Sequence, residues 1–276
     1  MSTLRIAYRN EANCVDPTEF ANTVAALDKQ LREHVSPVWG IEASCHVLAD
    51  PNDADCIAHV QHKCDVKTAL AYHTVIAAGK PMIIVGLDVC KKSGVSWSSA
   101  ASHENIETAG DANCNLSVRG PINGHGKKVS IDQENCDPVQ DSSYKIDGVE
   151  VSNFVFPAWF KSRSKSQLDQ MGLVKKPFTL LPGGYIAYTD PVTGQSSQYF
   201  ADDRAKAIRA PKVAAGVHRG RIRAMNPVSL VQHIVALGQE LGQDLKKDPD
   251  GKVRITLQEA GQILARLGII VTDLAT

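Results

Sequence analysis

Residues 81–87 (Pro-Met-Ile-Ile-Val-Gly-Leu) form a continuous apolar run, and no other segment limits the fold as strongly. A strand with no polar face has to be covered on both sides, so it belongs inside a sheet. Shortly after it, Ser96 to Ala109 reads as a helix, opened by serines and closed by Gly110. Placed directly behind a buried strand and Gly94-Val95-Ser96-Trp97, that helix packs against the core rather than lying on the surface.

Local signals supply the remaining elements. Residues 4–8 form a first strand. Asp16-Pro17-Thr18-Glu19 is a helix start, with Asp16 as N-cap, Pro17 at the first helical position and Glu19 at the third. Phe20, Val24, Leu27 and Leu31 give this helix one apolar face, and it ends near His34, before Ser36-Pro37. Residues 41–48 suit a second strand and 56–62 a third. Asn, Gly and Pro make 111–128 a loop of the kind that carries function. Asp147-Gly148 between alternating apolar positions marks a β-hairpin over 144–151. The polar stretch 161–170 reads as a linker, and 178–200 as another hairpin with turns at Pro182-Gly183-Gly184 and 190–194. Asn226-Pro227 opens a helix to about Leu245, and the capping box Thr256-Leu257-Gln258-Glu259 opens a last one. The expected chain is α/β (α+β), with a core domain over 1–160, a linker, hairpin and basic segment over 161–225, and a helical segment over 226–276.

Composition narrows the class. With 43% hydrophobic and 22% charged residues the chain reads as an ordinary soluble globular protein, and its 30 basic and 30 acidic residues cancel, so charge selects no partner. No stretch approaches the roughly 18 apolar residues of a membrane span, and Arg5, Arg9 and Glu11 break the pattern of a signal peptide. Seven irregularly spaced cysteines, all before residue 137, are a poor disulfide framework. The expected location is a cytoplasm.

His103-Glu104-Asn105-Ile106-Glu107 lies within the 96–109 helix and is the candidate for chemistry. Residues four apart project from one helix face, so the His103 imidazole and the Glu107 carboxylate can share a divalent ion. Glu104, one position round, reaches a metal-bound water instead. Zinc lowers the pKa of such a water to roughly 7, and a carboxylate beside it can take the proton and pass it to a leaving group. The more familiar pattern carries His at the last position; Glu107 keeps an oxygen ligand but makes the site more anionic. One His and two Glu also describe a plain solvated helix face, so a metal site requires a third ligand, and Asp111, Asn113, Glu134 and Asp137 are the candidates. Gly110 stands where one zincin group turns its helix to deliver a ligand three positions later. Here that position is Asn113, a poor zinc ligand.

Ser102-His103-Glu104 through Glu107, followed by Asp111, by Glu134-Asn135-Cys136-Asp137-Pro138 and by Val151-Ser-Asn-Phe-Val-Phe-Pro-Ala-Trp-Phe160, resembles a family of phage and bacterial zincin-like proteins. A similar helix followed by Glu-x-x-Asp occurs in plant phosphate-induced secreted proteins. The likeness extends to Pro37-Val38-Trp39-Gly40, Ala71-Tyr72-His73 and Leu180 to Tyr185, and so covers most of residues 20–190. It implies a zincin-like core with zinc held by His103, Glu107 and either Glu134 or Asp137, and Glu104 as the base; it implies no substrate. Family members often carry Asp-Pro where this chain has Asp111-Ala112, which affects the loop.

Other clusters have plainer readings. Cys56, His59, His62 and Cys64 look like a zinc set, but on a strand His59 faces away from the other three. Asp248-Pro249-Asp250-Gly251-Lys252 resembles a calcium loop, yet aligning Gly251 with the invariant glycine puts Lys246 first and Leu257 twelfth, which leaves a turn. The basic stretch over 204–223 suits an assembly contact, a nucleic acid or a solvated surface. Tyr72, His73 and His125 can bind substrate, stabilise an oxyanion or serve structure alone. The expected function is a zinc-dependent hydrolase, most simply a peptidase acting on peptide or protein, with no membrane partner. Its rival is a phage virion or tail component, located in the host cytoplasm or the virion, whose metal site is structural or vestigial. A metal-dependent binding module for carbohydrate or peptide is a third reading, with no aromatic platform to mark it.

Overall fold

A computed structural model describes residues 3–50, 53–64, 69–75 and 80–206. The helices expected over 226–245 and from Thr256, the 248–252 turn and all but the start of the 204–223 basic stretch lie outside these residues. The described chain is mixed α/β, with three sheets and few helices. None of its helices is long and apolar enough to cross a membrane.

The apolar run at 81–86 becomes β5 (Pro81–Gly86), with Ile83 and Val85 fully buried. It lies in a five-stranded sheet of order β2-β1-β3-β5-β4. β1 (Leu4–Asn10), β2 (Ala43–Val47), β3 (Cys56–Gln61) and β5 run parallel, and β4 (Ala71–Val75) pairs antiparallel with β5 at the edge. Sequence reading placed no strand at 71–75 because Tyr72-His73-Thr74 breaks any apolar run. The register sets His73 opposite Ile83, with its side chain buried. On β3, Cys56, Ala58 and Val60 turn into the core while His59 faces the other way and meets Glu11 at 2.6 Å. The cysteine-histidine set is therefore divided between two faces.

Asp16 caps α1 (Pro17–Lys29) by accepting from the backbone N–H groups of Thr18 and Glu19, and Phe20, Val24 and Leu27 line its buried face. The helix does not stop near His34. It widens into a π-type stretch over Gln30–Val35 and continues into α2 (Ser36–Trp39), where Pro37 occupies the first turn and needs no N–H partner. The wide turn directs Gln30 inward, where its amide donates to the Ser152 carbonyl at 2.9 Å and accepts from the Ser102 hydroxyl at 2.6 Å. A short helix missed by the sequence reading, α3 (Leu87–Ser93), leads to α4 (Trp97–Gly110), which packs on β4, β5 and the later β9.

The 111–128 segment is not a plain loop. β6 (Ser117–Ile122) and β7 (His125–Asp132) form a hairpin around Asn123-Gly124, both at positive φ, and Val129 and Ile131 alternate inward. Counting turn-forming residues hid this short strand pair. β8 (Ser143–Ile146) and β9 (Val149–Ser152) form the expected hairpin, with Asp147 at φ 50° and Gly148 at φ 85°, the conformation of a type I′ turn. β10 (Tyr185–Thr189) and β11 (Ser196–Phe200) complete the hairpin expected at 178–200, and β10 pairs with β7 in a second sheet of order β11-β10-β7-β6.

The stretch 161–170 ends as packed structure rather than linker. Leu168 and Asp169 are buried, Val155 and Asp169 form a bridge, and Phe156 N–H donates to the Leu168 carbonyl at 2.8 Å. Its apolar content is low, but Asp169 is satisfied by Asn153 and the Val174 N–H, so polar composition did not mean exposure. The second core (Val129, Ile131, Trp159, Leu168, Phe178, Ile186) draws on residues from both sides of position 160.

Residues 133–139 run from the second sheet to α4. Val139 belongs to the second core and Cys136 to the first. Gln133 donates to the Gly110 carbonyl at 3.0 Å, and a Cβ at Gly110 would collide with the fully buried Asn135 amide. Gly110→Ala is expected to lower stability by about 1–3 kcal/mol in urea denaturation; an unchanged midpoint would remove this contact from the account.

Candidate metal centre

Every residue of α4 from Ala100 to Thr108 is buried. A helix enclosed on all sides is ordinarily apolar throughout, but this one carries Ser102, His103, Glu104, Asn105, Glu107 and Thr108. Each buried polar group needs a partner. Asn105 accepts from the fully buried Tyr8 hydroxyl at 2.6 Å, Ser102 accepts from Ser152 N–H at 2.9 Å, and Ser98 donates to the Glu150 carbonyl at 2.6 Å. These contacts fix the rotation of the helix and set which face His103 and Glu107 present.

His103 Nε2 lies 3.1 Å from Glu107 Oε1, as the four-residue spacing requires, and 3.3 Å from Asp137 Oδ1. Asp137 Oδ1 is buried and lacks the alignment of a hydrogen bond. The Cys136 N–H donates to Glu107 Oε1 at 3.3 Å, which holds this segment against the helix. His73 Nδ1, from β4, stands 2.9 Å from Glu104 Oε2 and 3.8 Å from Glu107 Oε2. Two groups of side chains bring one ligand atom each to within 4.8 Å of one another: His103, Glu107 and Cys136, and His73, Glu107 and Glu134.

The expected site residues therefore separate. His103, Glu107 and Asp137 come together, and Glu134 joins Glu107 and His73 in the second group. Asp111 instead organises the chain after α4, accepting from the N–H groups of Asn115 at 2.9 Å and Leu116 at 2.7 Å. Asn113 is exposed. His73 and Cys136 were not read as metal donors: His73 reaches the helix only through the β4–β5 register, and Cys136 sat among seven unremarkable cysteines.

The electrostatics follow from burial. Desolvation opposes charge on His103, but the Glu107 carboxylate, the Asp137 oxygen beside it and, farther off, Glu104 outweigh it, raising its pKa well above the usual imidazole range. Burial pushes Glu107 up to about 8; His103 works against that rise, and the charges of Asp137 and Glu134 add to it. No Lys or Arg among the described residues forms an ion pair with Glu107 or Asp137. Burial, reinforced by the Glu107 charge, also raises the Cys136 pKa well above the ordinary thiol value, and its Sγ–H points to the His103 carbonyl at 3.7 Å. Without an ion Cys136 keeps its proton, and Asp137 Oδ1, 3.3 Å from His103 Nε2, is the donor already beside the imidazole.

Comparison with family models, with curated proteins and with solved structures finds no match to this chain.

Glu107 and His103 bind protons more tightly in the folded chain than in the unfolded one. For Glu107 the resulting stability is complete below the ordinary value of 4.5 and is lost as pH rises through about 8. Metal-stripped protein is therefore expected to lose melting temperature as pH rises from about 4.5 to about 8, and Glu107→Gln should flatten that decline. A melting temperature that rises over this range would contradict the assignment.

Proposed function

We propose that the chain is a divalent-metal hydrolase with a zincin-like core, most simply a zinc peptidase. The observation that carries this reading is the meeting of His103 Nε2 with Glu107 Oε1 at 3.1 Å and Asp137 Oδ1 at 3.3 Å inside the protein. One imidazole and two carboxylates form a donor set suited to zinc, and a cation there would offset the cost of burying these carboxylates without a Lys or Arg partner. When bound, zinc supplies Lewis acidity toward a carbonyl and brings the pKa of water to about 7.

The protein groups have separable roles. His103, Glu107 and Asp137 would hold the ion, with Glu134 near Glu107. Glu104, one position round the helix, takes up and returns the proton at its carboxylate. His73 Nδ1 stands 2.9 Å from Glu104 Oε2.

Closure of the site favours a second reading. The side chains of His103, Glu104, Glu107, Asp137 and His73 are each at most 10% exposed, and closed coordination is the habit of structural metal sites. Under that reading the chain is a virion or tail assembly protein whose ion braces α4 against the 133–139 segment.

Protein purified without chelator is expected to carry zinc by elemental analysis, and His103→Ala to lose it. Glu104→Gln should retain the ion while peptide hydrolysis falls by about 10²–10⁴-fold. Metal retained with no turnover in either wild type or Glu104→Gln supports the structural reading. Wild type without metal rejects both.

A further inference from the structure

We propose that this cluster is a two-cation site bridged by Glu107, which rests on the reading of α4 as a metal helix. The two oxygens of the Glu107 carboxylate face different imidazoles: Oε1 lies 3.1 Å from His103 Nε2, and Oε2 lies 3.8 Å from His73 Nδ1. A carboxylate serving one ion needs only one such neighbour. Here each oxygen has its own histidine, one from within α4 and one from the edge strand β4.

Each half has further donors. On the His103 side stands Asp137 Oδ1, at 3.3 Å. On the His73 side stands Glu134, which with His73 and Glu107 places one ligand atom each within 4.8 Å of the others. Ligands about 2.0–2.2 Å from a shared ion lie roughly 3–3.5 Å from one another, so the separations at His103 already suit coordination and those around His73 need small side-chain adjustments. Glu104 Oε2, 2.9 Å from His73 Nδ1, stays beside the second ion as the proton acceptor.

His73 itself points the same way. It is fully buried, and its Nδ1 faces the carboxylates of both Glu104 and Glu107. A histidine serving only to pin β4 to α4 would need one of them. Imidazole with carboxylates suits zinc or manganese. Ions bridged in this way sit about 3.5–4 Å apart and can hold both the attacking and the leaving oxygen of a displacement. The substrate class then widens from peptides cut by a single ion to the amides and phosphate esters handled by paired ions.

The test is zinc stoichiometry together with position. Metal-stripped full-length protein is reloaded with zinc, freed of excess and assayed by elemental analysis; crystals of the same sample are measured at the zinc absorption edge. The expected result is two ions per chain, with two anomalous peaks flanking Glu107, and one ion per chain in His73→Ala. One ion in wild type, or a second peak away from Glu107, overturns the bridged pair while leaving the single-ion reading intact. No ion overturns both. If His73→Ala fails to fold, the wild-type peaks decide the matter alone.

Discussion

The structure depends on a helix that is enclosed on all sides and yet polar. A buried apolar helix can rotate or slide with modest loss, because one hydrophobic contact replaces another. α4 cannot. Tyr8 holds Asn105, Gln30 and Ser152 hold Ser102, and the Glu150 carbonyl holds Ser98, so each partner fixes the same rotation. Some of these partners are themselves unusual: the wide helical turn at Gln30–Val35 brings Gln30 inward, and the 147–148 turn places β9 beside the helix. With rotation set, His103, Glu104 and Glu107 have no choice of surroundings, and only His73 and the 133–139 segment remain to complete them.

Much of the fold was legible because its signals are local. Asp16-Pro17 opens α1, the 81–86 run is the interior strand β5, and Asp147-Gly148 turns a hairpin, each from chemistry within a few residues. The failures were cases where composition stood in for pairing. Asn123-Gly124 is as clear a hairpin turn as Asp147-Gly148, but Pro121 and the neighbouring glycines made the segment look like loop. Leu168 and Asp169 are buried because Asn153 and the Val174 N–H satisfy the carboxylate, a contact invisible from the run of polar letters around them.

The candidate site divides along the same line. His103 and Glu107 were readable because a helix converts spacing into proximity. Spacing alone offered Asp137 beside Asp111, Asn113 and Glu134, and only the resemblance narrowed the choice to Glu134 or Asp137; the structure commits Asp111 to the backbone of Asn115 and Leu116. His73 joins Glu104 across 31 positions, a contact set by strand register alone. Its one local trace is the alternation of Ala71, His73 and Val75 on an edge strand. The same tertiary pairing that completes the site also closes it, which is why binding an ion and turning over a substrate are separate claims about these residues.

The most direct test of the central claim is X-ray absorption at the zinc edge on protein loaded with a single equivalent. The account predicts a first shell of nitrogen and oxygen at about 2.0–2.2 Å with imidazole scattering beyond it, and no sulfur at about 2.3 Å, because Asp137 Oδ1 already stands 3.3 Å from His103 Nε2. A shell of oxygen without imidazole would contradict the site, and a sulfur shell would contradict the choice of Asp137 over Cys136.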